Sequence, residues 1–222
     1  MMKCLWLLSV LVLVFVCVIS AAENEPMTYV DGSGAVQTVT DYNILHSELR
    51  KWGGNTTYIV PKDGLTIDQK ITVFSGTVNL ILRDGATLNA NNGITVPAGT
   101  TLNIFTESVN GTGRLVADAT GDTIDHGAGI GGTQDCDSGI IRIHGGLITA
   151  KGCTMYDGGA GIGGGSGRNT GTIEIYGGIV EATGGRKAAG IGSGANGTGG
   201  NVSIYGGTVR AVGGSNAAGI GA

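Results

Sequence analysis

Residues 173–192 read IEIYGGIVEATGGRKAAGIG, and residues 202–221 read VSIYGGTVRAVGGSNAAGIG. The two stretches are one phrase written twice. An earlier copy, residues 141–163, reads IRIHGGLITAKGCTMYDGGAGIG and carries the same landmarks with three extra residues. Its last element alone stands one unit further back, as Ala128-Gly-Ile-Gly. The four AGIG elements begin at Ala128, Ala160, Ala189 and Ala218, so the last two intervals are equal and the first is slightly longer. A repeat of this length marks units that cannot bury an apolar face alone and must stack on their neighbours. Propeller blades need about 40 residues, so short strands between Gly-Gly corners fit β-helix coils better. The predicted fold is all-β: a single-stranded parallel β-helix, or β-solenoid. The crossover rule for parallel strands makes it right-handed.

Side chains alternate between faces along a strand. Placing Ile173 and Ile175 inside sends Glu174 and Tyr176 out; Val180 and Ala182 go in while Glu181 goes out. Ile130, Ile162, Ile191 and Ile220 then form an internal ladder. One coil apart, Arg142 should face Glu174 and Glu181 should face Arg210, and opposite charges across a ladder contribute about 0.2–1 kcal/mol each.

Shorter coils of the same kind are expected upstream, where Ile71-Thr-Val recurs as Ile94-Thr-Val. Asp84-Gly85 and Pro97-Ala98-Gly99 supply their turns. Before them, residues 41–52 mix helix formers with two aromatics and suggest a small N-terminal cap over the open sheet edges. The expected division is a signal peptide at 1–22, an N-terminal segment and cap at 23–64, shorter coils at 65–126, and Gly-rich coils at 127–222. Ala222 falls at the opening of a coil. Further repeats are therefore expected beyond it, or another subunit over that edge through end-to-end self-association.

Met1 to Lys3, the apolar run Leu5 to Ile19, and Ser20-Ala21-Ala22 together predict an export signal cleaved after Ala22. The rival is an uncleaved anchor, for which the apolar run is short of the roughly 20 residues a span needs. The expected location is secreted or cell-surface, with no membrane contact after cleavage. Without Lys3 the chain keeps 12 basic and 17 acidic side chains, a net charge of −5. With no basic block to neutralise phosphates, nucleic acid is a poor partner. The 44 glycines do not recur at every third position, which excludes collagen.

The stretch YVDGSGAVQTVT (29–40), then ITVFSGTVNLILRDGATLNANNGITVPAGTTLNIF (71–105), then the AGIG units, resembles bacterial exported Gly-rich repeat proteins labelled as carbohydrate-binding-domain proteins. That resemblance implies a right-handed parallel β-helix, the architecture of polysaccharide lyases, and a polysaccharide or cell-surface glycan as partner. It brings no catalytic motif, and fold alone does not decide function.

His144, Tyr176 and Tyr205 share one repeat position and should form an outward stripe. Such rings can hold sugar rings, or can simply pack on one another along the strand surface. Asp118, Asp122 and Asp125 gather before the first AGIG element and are the calcium candidates, although Asp is also ordinary turn chemistry. No other cofactor is implied. A lyase would need such carboxylates plus a basic proton acceptor in one cleft, and no catalytic residue set is assigned. Cys136 and Cys153 both fall in the coil with three extra residues, which suggests a disulfide staple. Non-catalytic polysaccharide binding is therefore the first expectation. A structural or adhesive spacer is the alternative, and a lyase or hydrolase the third.

Overall fold

The computed structural model describes residues 25–221; the expected signal at 1–22 lies outside the described residues. No described helix is long and apolar enough to cross a membrane. The chain winds into a three-faced parallel β-helix, each full coil giving one strand to each of three sheets. One coil contains Thr172–Ile175 in the first sheet, Ile179–Thr183 in the second and Ile191–Gly192 in the third. The next repeats the order with Asn201–Ile204, Thr208–Val212 and Ile220–Gly221. The predicted register holds throughout: Ile173 pairs with Val202, Val180 with Val209 and Ile191 with Ile220, all in parallel.

The core follows from the alternation. Ile173, Ile175, Val180, Ala182 and Ile191 are fully or almost fully buried. Ile130, Ile162 and Ile191 form the inner ladder, which continues upstream through Ile94 and Ile71. Ile220, in the last described strand, is 46% exposed. Burying an isoleucine contributes about 1.5–3 kcal/mol, so the stacked ladders supply most of the cohesion. Outside, Arg142 pairs with Glu174 at 2.5 Å. Glu181 lies opposite Arg210 in register, without closing an ion pair.

The AGIG element owes its glycines to close stacking. Gly131, Gly163 and Gly192 have φ of 142°, 133° and 145°. A Cβ on any of them would overlap the carbonyl oxygen of the equivalent glycine one coil on. Those oxygens instead accept backbone N–H bonds, from Gly132 to Gly163 at 2.8 Å and from Gly164 to Gly192 at 2.9 Å. Within each copy the backbone pinches shut, with Ala160 N–H donating to the Gly164 carbonyl at 2.9 Å. The isoleucine is thereby pushed into the core.

At the N-terminal end, residues 41–52 contain no helix. They run as a partial coil, with Asn43–Ile44 added to the first sheet and Lys51–Trp52 to the third. Leu45 and Trp52 are buried over the end of the core, with Leu49 packed against it. The Trp52 indole stacks on Tyr58 with centroids 5.6 Å apart. Ahead of this cap, Met27–Val30 and Val36–Val39 form an antiparallel hairpin. Its turn is locked by Asp31, whose Oδ1 accepts from Ser33 and Ala35 and whose Oδ2 accepts from Gln37. The hairpin lies on the flank of the solenoid, where Val30 pairs with Thr106.

Candidate functional site

The predicted outward stripe exists, and it is longer than the repeat phrase suggests. Phe105, His144, Tyr176 and Tyr205 stack face to face, with successive centroids 4.4, 4.9 and 4.9 Å apart and planes within 19°. Coil spacing dictates this, because one ring per strand end at the β-sheet repeat leaves each ring the next one's neighbour. The inner rings therefore spend both faces on one another, while Tyr205, at the end of the row, stacks on Tyr176 alone and is 65% exposed. Below Phe105 the line continues as Ile81 and Ile59, which with Met27 and Tyr42 form a second apolar cluster under the hairpin. The hairpin turn reaches His144, where a Cβ on Gly32 would lie 2.7 Å from Nδ1. That nitrogen is buried with no hydrogen-bond partner. Burial, aided by the positive charge of Arg142, pushes the His144 pKa down to about 4, against the opposing pull of Asp31 and Glu174. Beside the ladder, the hairpin turn, the loop at 109–112 and the Gly-Gly corners enclose a groove of about 510 Å³. It meets His144 and Tyr176, whose faces are already taken.

A different surface offers an open aromatic face. In the Gly-rich coils, the chain bulges outward before and after each third-sheet strand, and the bulges meet outside that sheet. Gln134 N–H donates to the Asp125 carbonyl at 2.8 Å, and Ser166 N–H to the His126 carbonyl at 3.1 Å. Between them lies an open groove of about 430 Å³, lined by His126, Gln134, Tyr156, Ser166, Arg186 and Lys187, with Asp157. Tyr156 is 72% exposed, and its ring tilts 59° from His126 at 5.4 Å. Asp157 is fixed between Lys187 at 3.0 Å and Asn196 at 2.8 Å, and these two bonds hold its carboxyl below the usual carboxylate range. Arg186 forms no ion pair among the described residues.

Three successive bulges each carry a non-glycine residue in the left-handed region: His126 at φ 46°, Tyr156 at 51° and Lys187 at 57°. Such conformations cost on the order of 1 kcal/mol or more apiece, and they concentrate where side chains are being aimed. All three line the groove. The repeat alignment contains a signal for it: Tyr156 sits in the coil with three extra residues, where the repeat has no aromatic counterpart.

The acidic residues Asp118, Asp122 and Asp125 lie among lysines. Among the described residues no group of three His, Cys, Asp or Glu is placed to hold an ion. Lysines occupy the carboxylates instead. Asp118 Oδ2 accepts from Lys151 at 3.1 Å while Oδ1 takes the Thr120 N–H and hydroxyl. Burial pushes the Asp118 carboxyl up, but the Thr120 and Lys151 contacts outweigh it and leave it below the usual range. Asp122 and Asp125 both contact the ammonium of Lys70. The three residues of the expected calcium set, Asp118, Asp122 and Asp125, thus each contact a lysine from a neighbouring turn. Repeat spacing gives no reason to place Lys70 beside them.

The expected Cys136–Cys153 staple is not formed in the structure, where both are free thiols. Cys136 follows the third-sheet strand Ile130–Gly131, whereas Cys153 follows the second-sheet strand Leu147–Lys151. The two sit at different corners of the coil. Cys153 is buried and donates to the Asp122 carbonyl at 3.0 Å; burial pushes its thiol pKa up, which keeps the donor proton in place. Cys136 lies against the Thr133 hydroxyl at 3.5 Å.

With this geometry in view, comparison with known families gives one match. Residues 141–166, 173–195 and 202–222 match a family model described as a beta helix repeat. Each matched stretch begins at a first-sheet strand of the Gly-rich coils and runs past its AGIG element. Comparison with curated proteins and with solved structures gives no match.

Proposed function

We propose that this chain is an exported, non-catalytic β-solenoid that binds polysaccharide in the groove between His126, Tyr156 and Lys187. The observation that carries it is the open face of Tyr156, held in a costly backbone conformation inside a groove of ligand size. A pyranose stacks on such a face through its C–H bonds. Asp157, Lys187, Ser166 and Gln134 surround it with donors and acceptors for hydroxyls. The unpaired charge of Arg186 favours a glycan bearing carboxylate or sulfate groups. The stripe of His144, Tyr176 and Tyr205 serves, in this reading, to pin successive coils. A lyase needs a free base, and Lys70, the cation nearest the acidic cluster, is engaged by two carboxylates.

The test is retention on insoluble and arrayed polysaccharides. Tyr156→Ala should weaken retention roughly five- to tenfold, the order expected for one aromatic contact of about 1 kcal/mol, without lowering the melting temperature. Tyr176→Ala with Tyr205→Ala should do the reverse, lowering melting by a few degrees while retention persists. If the double variant loses retention and Tyr156→Ala does not, the site is the ladder. Retention by neither the wild type nor any variant would make the chain a structural spacer.

A further inference from the structure

We infer that Lys70 and Asp122 join through an intramolecular amide bond, formed by the protein itself. Lys70 lies in the turn between Leu65–Ile67 and Ile71–Val73, within the short coils. Asp122 lies in the first outward bulge, 52 residues later. The Lys70 ammonium is in direct contact with Asp122 Oδ2, and the side chains are only 17% and 6% exposed. Proximity of this kind turns a bimolecular condensation into a first-order one.

The surroundings supply the rest of an acyl-transfer site. Asp122 Oδ1 accepts two backbone N–H groups, from Asp125 at 3.0 Å and Ile124 at 3.3 Å. Two fixed donors on one carboxyl oxygen are the arrangement that stabilises an oxyanion when a carboxyl carbon turns tetrahedral. On the other side, Asp125 Oδ2 lies 2.9 Å from Lys70 Nζ and serves as a proton carrier. Gly127 donates its N–H to Asp122 Oδ2, the oxygen that departs, at 3.2 Å.

The step balances without any co-reactant. Asp125 passes a proton from the Lys70 ammonium to Asp122 Oδ2, leaving a neutral amine beside a carboxylic acid, and Nζ then attacks Cγ while negative charge gathers on Oδ1. The C–Oδ2 bond breaks as Asp125 carries a second proton from the nitrogen to the departing hydroxyl, which leaves as water. An ammonium and a carboxylate become a secondary amide and one water, with no change of oxidation state. The neutral amide also removes two charges that are costly to keep out of water.

Trypsin digestion of the folded, full-length protein followed by mass spectrometry tests this directly. The amide blocks cleavage after Lys70, so residues 63–83 and 115–142 should emerge as one branched peptide, lighter by one water than its two parts. Separate peptides 63–70, 71–83 and 115–142, with no branched species, would overturn the proposal. Lys70→Arg keeps the positive charge and should abolish the branched product. Asp125→Asn should reduce its yield at least tenfold while the remaining chains keep an intact Lys70. An unchanged yield in Asp125→Asn would overturn the proton-carrier role, and a branched product in Lys70→Arg would overturn the linkage itself.

Discussion

The short coils and the Gly-rich coils stack in one solenoid, but they spend their residues differently. In the short turn of the helix from Ile71 to Ile94, nearly all residues lie in strands or tight turns. Its inner side chains are large, with Leu80, Leu82, Leu88 and Ile94 fully or almost fully buried. The turn from Ile162 to Ile191 is longer, yet the core it fills is no larger: Ile173, Ile175, Val180, Ala182 and Ile191. The surplus goes into the bulges on either side of the AGIG strand. The short coils thus maximise cohesion, whereas the Gly-rich coils keep a minimal core and use the difference to build an outer surface. The groove takes left-handed Tyr156 and Lys187 from the second kind of coil, with left-handed His126 at its boundary.

If the Gly-rich core is minimal, it should tolerate least damage. Ile191→Asp places a charge inside a ladder with no partner and should cost at least about 3–4 kcal/mol, enough to unfold the last coils. Circular dichroism melting that matches the wild type would break the comparison. The glycines provide the next test. Gly163→Ala must displace the backbone of the neighbouring coil and should cost about 2–3 kcal/mol, whereas Gly85→Ala meets open space in a short-coil turn at φ 75° and should cost only about 1 kcal/mol of backbone strain. Equal losses in urea titrations would mean that close stacking is not what distinguishes the two regions.

The last effect concerns the seam between them. His144 has a folded pKa near 4 against an ordinary value of 6.5, so the unfolded chain binds the extra proton first as pH falls. Its contribution is complete above about pH 6.5, declines through the window from 6.5 to 4, and is lost below it. Melting temperature should fall across that window, and His144→Phe should flatten that part of the profile. An unchanged slope would place the acid sensitivity elsewhere.

Much of the solenoid is legible because its signal is periodic. The phrase Ile173-Glu-Ile-Tyr-Gly-Gly determines both strand faces and the pairing of Arg142 with Glu174. What stays hidden is what periodicity does not carry. Lys70 meets Asp122 because a bulge folds back on an earlier turn, an aperiodic contact that no spacing within the repeats announces. Cys136 and Cys153 share one coil, which invites pairing them, but the coil's own corners hold them apart. The repeat phrase places His144, Tyr176 and Tyr205 on the correct face, but their continuation through Phe105 lies outside it. The hairpin's Asp31-Gly-Ser-Gly turn is a local signal of the familiar Asp-Gly kind, whereas its docking site at Thr106 is not local at all.

That docking site bears on the order in which the molecule assembles. Val30 finds its partner at Thr106, a strand that follows the whole of the cap and most of the short coils. A ribosome releasing the chain from its N-terminus therefore delivers the hairpin well before the strand that receives it. Coils can close on their predecessors as they emerge, so the apolar faces of Met27, Tyr29 and Val39 can meet Ile59 and Ile81 first, but they gain Phe105 only when the strand Thr101–Thr106 has joined the stack. The hairpin is thus a latch that closes late, and its closing marks the point at which the strand Thr101–Thr106 is in place.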